Sequence, residues 1–218
     1  MRFNFWLIIS IMGLLITLNG LFMILTIPFA IYYGEEWMVA IKSVAIVLSI
    51  GLPMWLIPRR FADRELRRKD GFIVVTFGWI FISLTGSLPY LISGSIPYFT
   101  DAFFETVSGY TTTGASILND IEALPHWILF WRSLTQWIGG MGIIVLTVAI
   151  LPILGIGGMQ LFIAEAPGIS PDKLKPRIQD TAKRLWIIYL GLTAAEILLL
   201  RAGGLSFYEA INHISSIT

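Results

Sequence analysis

The sequence predicts an all-α polytopic membrane protein. Of its 218 residues, 56% are hydrophobic and only 13% are charged, and the mean hydropathy is +0.78. A soluble domain carries about 25% charged residues. Here the charges cluster between apolar runs that are long enough to cross a bilayer as helices. The chain contains no cysteine, which excludes disulfides and thiolate chemistry within it, and its net charge of +1 implies no nucleic-acid partner.

Five apolar segments are candidate spans. They are Trp6–Tyr33, Trp37–Ile57, Gly71–Ile92, Trp127–Leu154 and Leu185–Leu200. The first is about twice as long as the apolar core of a signal peptide, and no small-residue cleavage pattern follows it. We therefore expect it to be a permanent span.

The basic residues indicate how these spans are oriented. Pro58–Asp70 and Glu165–Arg184 are rich in Lys and Arg, whereas Gly34–Glu36 and Ser93–His126 contain neither. Cytoplasmic loops carry the excess of positive charge in membrane proteins. Both basic loops and the N-terminus are therefore predicted to be cytoplasmic.

The segment between the third and fourth spans contains a short helix followed by an unusual run. Phe99–Ser108 would reach about 15 Å as a helix, which is half of a hydrocarbon core of about 30 Å. If this helix dips inward, its negative C-terminal end points toward the middle of the membrane and favours a cation. Gly109 is predicted to end it, and the run Tyr110-Thr-Thr-Thr-Gly-Ala-Ser116 follows.

This run has the features of a carbonyl-lined ion filter. Thr111, Thr112 and Thr113 are β-branched, and we expect them to hold an extended backbone. Gly114 allows dihedral angles closed to other residues, which lets successive carbonyl oxygens point the same way. Such oxygens can replace the hydration shell of a potassium ion. On the run alone, an ordinary surface turn in an outer loop remains the alternative.

Acidic residues surround the run. The segment from Ser93 to His126 holds four carboxylates and no Lys or Arg, and so attracts cations. We expect Asp101 and Glu105 at the mouth of a pore. Because they lie at i and i+4 of one helix, a paired-carboxylate metal or acid–base site is a second, less simple interpretation.

Charged residues inside predicted spans are candidates for functional roles. Arg132 lies in the fourth span, and pairing with Glu105 or Asp120 is the simplest expectation for it, with snorkelling toward the outer surface as the alternative. Glu196, in the fifth span, could pair with Arg132 or lie near Arg201, and the sequence does not decide.

Three glycines weaken the fourth span. Gly139, Gly140 and Gly142 fit close helix packing through small residues. They fit equally well a flexible helix that bends during gating. The sequence alone does not distinguish these two hypotheses.

Three longer motifs carry a family resemblance. Asp101–Ser116 resembles the first pore segment of the TrkH/TrkG/KtrB family of bacterial potassium uptake proteins, and Phe130–Val145 and Ile153–Gln160 resemble its following helix. The two leading spans match the extra N-terminal pair of the TrkH branch. The implied fold is a helix–pore loop–helix repeat of the potassium-channel type preceded by two extra transmembrane helices. On this basis the chain divides into an N-terminal helix pair with its basic loop (1–70), a first repeat (71–160), and a cytoplasmic loop with the start of a second repeat (161–218).

The resemblance implies potassium uptake across the bacterial inner membrane, as part of a Trk-type subunit without covalent chemistry or an organic cofactor. The implied filter residues are Thr111, Thr112, Thr113 and Gly114. Direct potassium contacts are expected at Thr112 and Thr113. The implied partners are a second copy of the subunit, a cytosolic nucleotide-binding protein of the TrkA type, and the lipid bilayer. The basic segment Asp172–Arg184 could contact either that protein or anionic lipid heads.

The family fold has four repeats, each giving one filter strand, and this chain carries only one. Phe207–Thr218 resembles the start of a second repeat, with Asp101-Ala102 aligned on Glu209-Ala210. A single strand cannot surround an ion. We therefore expect either a fragment of a longer product, which we favour, or several copies closing one pore.

An enzyme acting on lipid-linked substrates is the competing class of function. It would use Asp101, Glu105 or His126 clustered at one depth. The chain contains no H-E-x-x-H, G-x-S-x-G or phosphate-binding glycine loop, so we do not expect an enzyme.

Overall fold

A computed structural model describes residues 5–58, 68–154 and 174–217. All regular elements within these ranges are helical, which confirms the predicted fold class. A 3₁₀ turn, Ile24–Thr26, joins the first two helices. In chain order the helices are α1 (Phe5–Met23), α2 (Ile27–Tyr32), α3 (Trp37–Leu56), α4 (Arg68–Gly86), α5 (Leu88–Ser93), α6 (Phe99–Tyr110), α7 (His126–Leu154), α8 (Leu174–Ala202) and α9 (Phe207–Ile217).

Within the described residues, four helical stretches are long and apolar enough to cross a membrane. They are Phe5–Tyr32, Trp37–Leu56, Asp70–Ser93 and Lys183–Ala202. Their ends lie close to those predicted from the sequence. The remaining predicted span lies in α7, which is continuous over 29 residues.

Two of the spans are interrupted at a proline. Pro28 follows the 3₁₀ turn, and Pro89 lies in the first turn of α5. Proline has no N–H and clashes with the carbonyl four residues earlier, so the helix restarts instead of continuing. At the second break, the carbonyl oxygen of Gly86 accepts a hydrogen bond from Nε1 of Trp131 at 2.9 Å, which ties α7 to α4.

Glycines let α1 and α3 approach each other closely. A Cβ added at Gly13 would collide with the α3 backbone at Trp55, and one at Gly51 would lie 2.7 Å from the backbone nitrogen of Thr17. Because lipid tails are as apolar as core side chains, such close packing is what holds membrane helices together. The first helix of this pair, α1, also packs against α4.

Two short helices pack on α7. The first, α6, lies against both α4 and α7, and the second, α9, lies against α7 and α8. Ala102 of α6 and Ala210 of α9, which the sequence alignment of the two repeats superimposes, are both fully buried.

The basic segment Asp172–Arg184 is more helical than expected. From Leu174 onward it belongs to α8 and is continuous with the fifth span. Lys, Arg and Gln are good helix formers, so the helix extends beyond the apolar stretch that a hydropathy argument detects. The remainder of the predicted loop, and most of Ile153–Gln160, lie outside the described residues.

Candidate ion-binding filter

The short helix α6 ends in a Schellman motif. It extends beyond its expected end at Ser108 to Tyr110. The N–H of Thr113 donates to the carbonyl of Ser108 at 3.0 Å, and the N–H of Thr112 donates to the carbonyl of Gly109 at 3.0 Å. These are the 6→1 and 5→2 bonds of this cap. The predicted helix stop at Gly109 is therefore wrong.

Gly109 is a contact residue instead. It is buried within α6, and a Cβ there would lie 2.5 Å from Oγ1 of Thr135 on α7. Gly109 therefore serves helix packing, where only a small residue fits, and the helix continues through it to Tyr110.

The backbone turns within the threonine run. Thr112 has a φ of 53° and Gly114 a φ of 74°. Thr111, with φ −85° and ψ 1°, is the C-cap of α6. The expected extended backbone across these threonines is therefore wrong, because the cap of α6 requires a left-handed residue at position 112. A β-branched side chain in this region is unusual and costs about 1–2 kcal/mol.

The donors and acceptors of the run are unequally satisfied. The N–H groups of Thr111, Thr112 and Thr113 all donate to carbonyls of α6. In the described part of the chain, no hydrogen bond reaches the carbonyl oxygens of these residues or of Gly114. Thr111, Thr113 and Gly114 are exposed on this chain, and Thr112 is half-buried. Carbonyl oxygens without a protein donor are available to coordinate a cation.

The far end of the run is tied back to α6 by Glu105. This carboxylate is buried, with 2% of the residue exposed. Oε1 accepts from Nε of Arg132 at 2.7 Å, and Oε2 accepts from the N–H of Ile117 at 3.1 Å. The hydroxyl of Ser116 donates to the same carboxylate. The expected pairing of Arg132 with Glu105 is thus observed.

The two carboxylates predicted at the pore mouth lie in different environments. Asp101 is in the first turn of α6 and half-buried, whereas Glu105 is buried and paired. Glu105 therefore contributes no open negative charge, because its counter-ion on α7 lies against it. The alternative partner considered for Arg132, Asp120, instead accepts from the N–H groups of Glu122 and Ala123.

The glycines of α7 make close contacts. A Cβ at Gly139 would collide with the carbonyl of Tyr110, the first residue of the run Tyr110–Ser116. A Cβ at Gly140 would lie 3.0 Å from the hydroxyl of Tyr189, and one at Gly142 would lie 3.3 Å from the ring of Trp79. Of the two hypotheses for these glycines, the geometry favours close packing.

Two polar residues with long-range contacts were not predicted from the sequence. Asn19, buried in the first span, accepts a hydrogen bond from the hydroxyl of Tyr110. Glu35 accepts from the N–H groups of His126 and Trp127 at 2.7 and 3.1 Å, and so caps the N-terminus of α7. An Asn within an apolar span is a signal that could have been noticed. No pattern in the sequence near Glu35 indicates that its side chain caps α7.

A short helix packed among longer membrane-spanning helices and followed by a tight turn defines a polytopic membrane protein with a helix–pore loop–helix repeat of the potassium-channel type. Residues 37–213 match the family TrkH, described as "Cation transport protein", and the chain belongs to this family.

Named relatives agree with this membership. The chain is 45% identical over 213 residues to the Trk system potassium uptake protein TrkH of Escherichia coli K12, covering 96% of the chain and 44% of the relative. It is 40% identical over 204 residues to TrkG of the same organism, with 92% and 42% covered. The crystal structure of the potassium transporter TrkH from Vibrio parahaemolyticus superimposes with a TM-score of 0.81 at 39% identity, covering 98% of the chain and 42% of that protein. The chain thus spans less than half the length of these relatives.

Proposed function

We propose that this chain provides the N-terminal helix pair and the first filter-bearing repeat of a potassium uptake subunit in the bacterial inner membrane, with a cytoplasmic N-terminus. The observation that carries the proposal is the row of carbonyl oxygens from Thr111 to Gly114, which accept no hydrogen bond within the described chain while the neighbouring amides are satisfied. The matched relatives are named as potassium uptake proteins, and we therefore propose potassium as the cation.

The proposed mechanism is coordination without covalent chemistry or an organic cofactor. Potassium loses water at the entrance and is held by backbone oxygens, with Thr112 and Thr113 making the direct contacts. The negative C-terminal end of α6 lies beside these oxygens and favours a cation. Asp101 and Glu105 remain at the proposed mouth, where Asp101 attracts ions and Glu105 holds the filter strand in place.

Uptake requires more than this one strand, because a single strand cannot surround an ion. Further strands would come from additional repeats or from further copies of the chain. The chain then divides into the helix pair with its basic loop (1–70), the first repeat (71–160), and a cytoplasmic loop with the start of a second repeat (161–218). The proposed partners are a second copy of the subunit and a nucleotide-binding regulator of the TrkA type.

The geometry offers little support for the alternative enzymatic function. Its candidate residues have separate partners, since Glu105 pairs with Arg132 and His126 pairs with Glu35. Among the described residues, no group of three or more His, Cys, Asp or Glu side chains could hold a metal ion.

The test compares two glycines with the same left-handed backbone conformation, which alanine would strain equally at either position. Gly114 and Gly94 have φ values of 74° and 71°, and a Cβ on either would meet no atom within 4 Å. Gly94 is the C-cap of α5 and lies outside the filter run. Both residues are replaced by Ala in the full-length protein, and potassium uptake is measured in cells that lack other potassium uptake systems.

We expect Gly114→Ala to abolish uptake or to lower the preference for potassium over sodium. Gly94→Ala has the same strain of about 1–2 kcal/mol and should retain that preference. Equal potassium uptake and equal selectivity in both variants would contradict the proposal.

A further inference from the structure

We propose that Asn19, in the first span, is a positioning residue for the filter that acts through the hydroxyl of Tyr110. The inference rests on the proposed function, since it concerns the geometry of the same filter. Asn19 belongs to the N-terminal helix pair, outside the helix–pore loop–helix repeat. The inference therefore gives that pair a role in ion selection.

The side chain of Asn19 is fixed by hydrogen bonds on both sides of its amide. Oδ1 accepts from the hydroxyl of Tyr110 at 2.5 Å, and Nδ2 donates to Oγ1 of Thr85 at 3.0 Å. The hydroxyl of Thr85 donates to the carbonyl of Phe81 at 2.9 Å, so it can only accept from Asn19. This determines which end of the amide is the oxygen and directs that oxygen at Tyr110.

All three side chains are shielded from solvent. The residues Asn19, Thr85 and Tyr110 are 4%, 7% and 1% exposed. Asn19 lies near the middle of the 28-residue span Phe5–Tyr32, which puts the hydrogen bond at mid-span depth. In such surroundings water does not replace a lost hydrogen-bond partner. The Tyr110 hydroxyl would then either stay without a hydrogen bond or move, together with its ring, toward another acceptor.

Tyr110 connects this network to the filter. It is the last residue of α6, and its carbonyl lies against Gly139. Its ring lies against Gly86, where an added Cβ would come within 2.9 Å of Cε2. Thr111 and the left-handed Thr112 follow immediately. A shift of the Tyr110 ring therefore displaces the cap that aims the coordinating oxygens, and sites of this kind tolerate displacements of only about 0.5 Å.

The alternative is a purely structural role, in which Asn19 only joins α1 to α4 and α6. That role would change stability and leave ion selectivity untouched. Selectivity is therefore the readout that separates the two roles.

The experiment uses the full-length protein reconstituted in liposomes and measures the potassium-to-sodium permeability ratio together with the melting temperature. The variants are Asn19→Leu, Tyr110→Phe and their combination. Ser10→Ala is the matched control, because buried Ser10 also lies on α1 and donates to the carbonyl of Trp55 on α3 at 3.0 Å, away from the filter.

We expect each single variant to lower the permeability ratio by about two- to tenfold, the range that one hydrogen bond of ordinary strength corresponds to. The double variant should match the single ones, because both remove the same bond. Ser10→Ala should keep the ratio of the unmodified protein.

A ratio unchanged by Asn19→Leu and Tyr110→Phe, with only the melting temperature lowered, would overturn the inference. If Asn19→Leu does not fold, Tyr110→Phe, which keeps the ring, decides the question alone. An unmodified protein without potassium-selective flux would instead contradict the proposed function itself, and the inference with it.

Discussion

Nε of Arg132 lies 2.7 Å from Oε1 of Glu105, and this ion pair joins α7 to the short helix α6. The two side chains are 11% and 1% exposed. The same carboxylate accepts from the N–H of Ile117, immediately after the run Tyr110–Ser116. A buried ion pair therefore helps to determine where the proposed filter strand is held at its far end.

Removing one partner of this pair should be costly. Arg132→Met leaves the Glu105 carboxylate buried without its counter-ion, which is expected to destabilise the protein by about 3–5 kcal/mol. The melting temperature of the purified protein and potassium uptake by cells should both fall. Adding Glu105→Gln to Arg132→Met should recover part of the lost stability.

Arg201 provides the control for this prediction. It is an exposed arginine at the end of α8, with a hydrogen bond to the carbonyl of Leu205. Arg201→Met should change stability by no more than about 0.5 kcal/mol. If Arg132→Met melts like Arg201→Met, the pair does not have the role given to it here.

The glycines of α7 should differ in how they tolerate alanine. A Cβ at Gly139 collides with the carbonyl of Tyr110, where backbone cannot yield, so Gly139→Ala should displace the filter and abolish uptake. At Gly142 the obstacle is a ring atom of Trp79 at 3.3 Å, which a small side-chain shift relieves, so Gly142→Ala should retain most uptake. Uptake assays on the two variants check this. Normal uptake by Gly139→Ala would contradict the role of close packing at this glycine.

Glu35 should stabilise α7 from a distance in the chain. Its carboxylate accepts from two N–H groups at the start of α7 and lies 2.8 Å from Nδ1 of His126. Negative charge is favourable at this end of a helix. Glu35→Gln should therefore lower stability by about 1–2 kcal/mol, the size of a strong N-cap effect, and thermal melting measures the loss.

The adjacent Glu36 gives the comparison for Glu35. It is exposed and makes no side-chain hydrogen bond as the N-cap of α3. Glu36→Gln should melt close to the unmodified protein. Equal melting temperatures for the two variants would show that the cap from Glu35 contributes nothing.

The left-handed strain at Thr112 leads to an unusual prediction about stability: glycine should be tolerated at this position. Thr112→Gly relieves about 1–2 kcal/mol of left-handed strain and loses about 0.5–1 kcal/mol to the greater freedom of glycine. Its stability should therefore be equal to or slightly above that of the unmodified protein, while Thr113→Gly should be less stable, because Thr113 has no positive φ to relieve. Thermal melting distinguishes them, and a lower stability for Thr112→Gly than for Thr113→Gly would contradict this account of the cap.

The sequence predicted the parts of this fold that depend on local pattern. The apolar spans, the short helix near Phe99 and the left-handed Gly114 follow from composition and glycine chemistry. The cap at Thr112 was missed, because β-branched residues favour extended backbone and only the end of α6 imposes the turn. The bonds from Asn19 to Tyr110 and from Glu35 to His126 each join residues 91 positions apart, which no local pattern encodes.

The central claim is that backbone oxygens of the run from Thr111 to Gly114 hold a dehydrated potassium ion. The most direct measurement is the anomalous scattering of rubidium or thallium in crystals of the full-length protein. We predict a peak in direct contact with the carbonyl oxygens of Thr112 and Thr113. A conducting protein whose ion peaks lie elsewhere, with these oxygens bonded to amides, would contradict the claim.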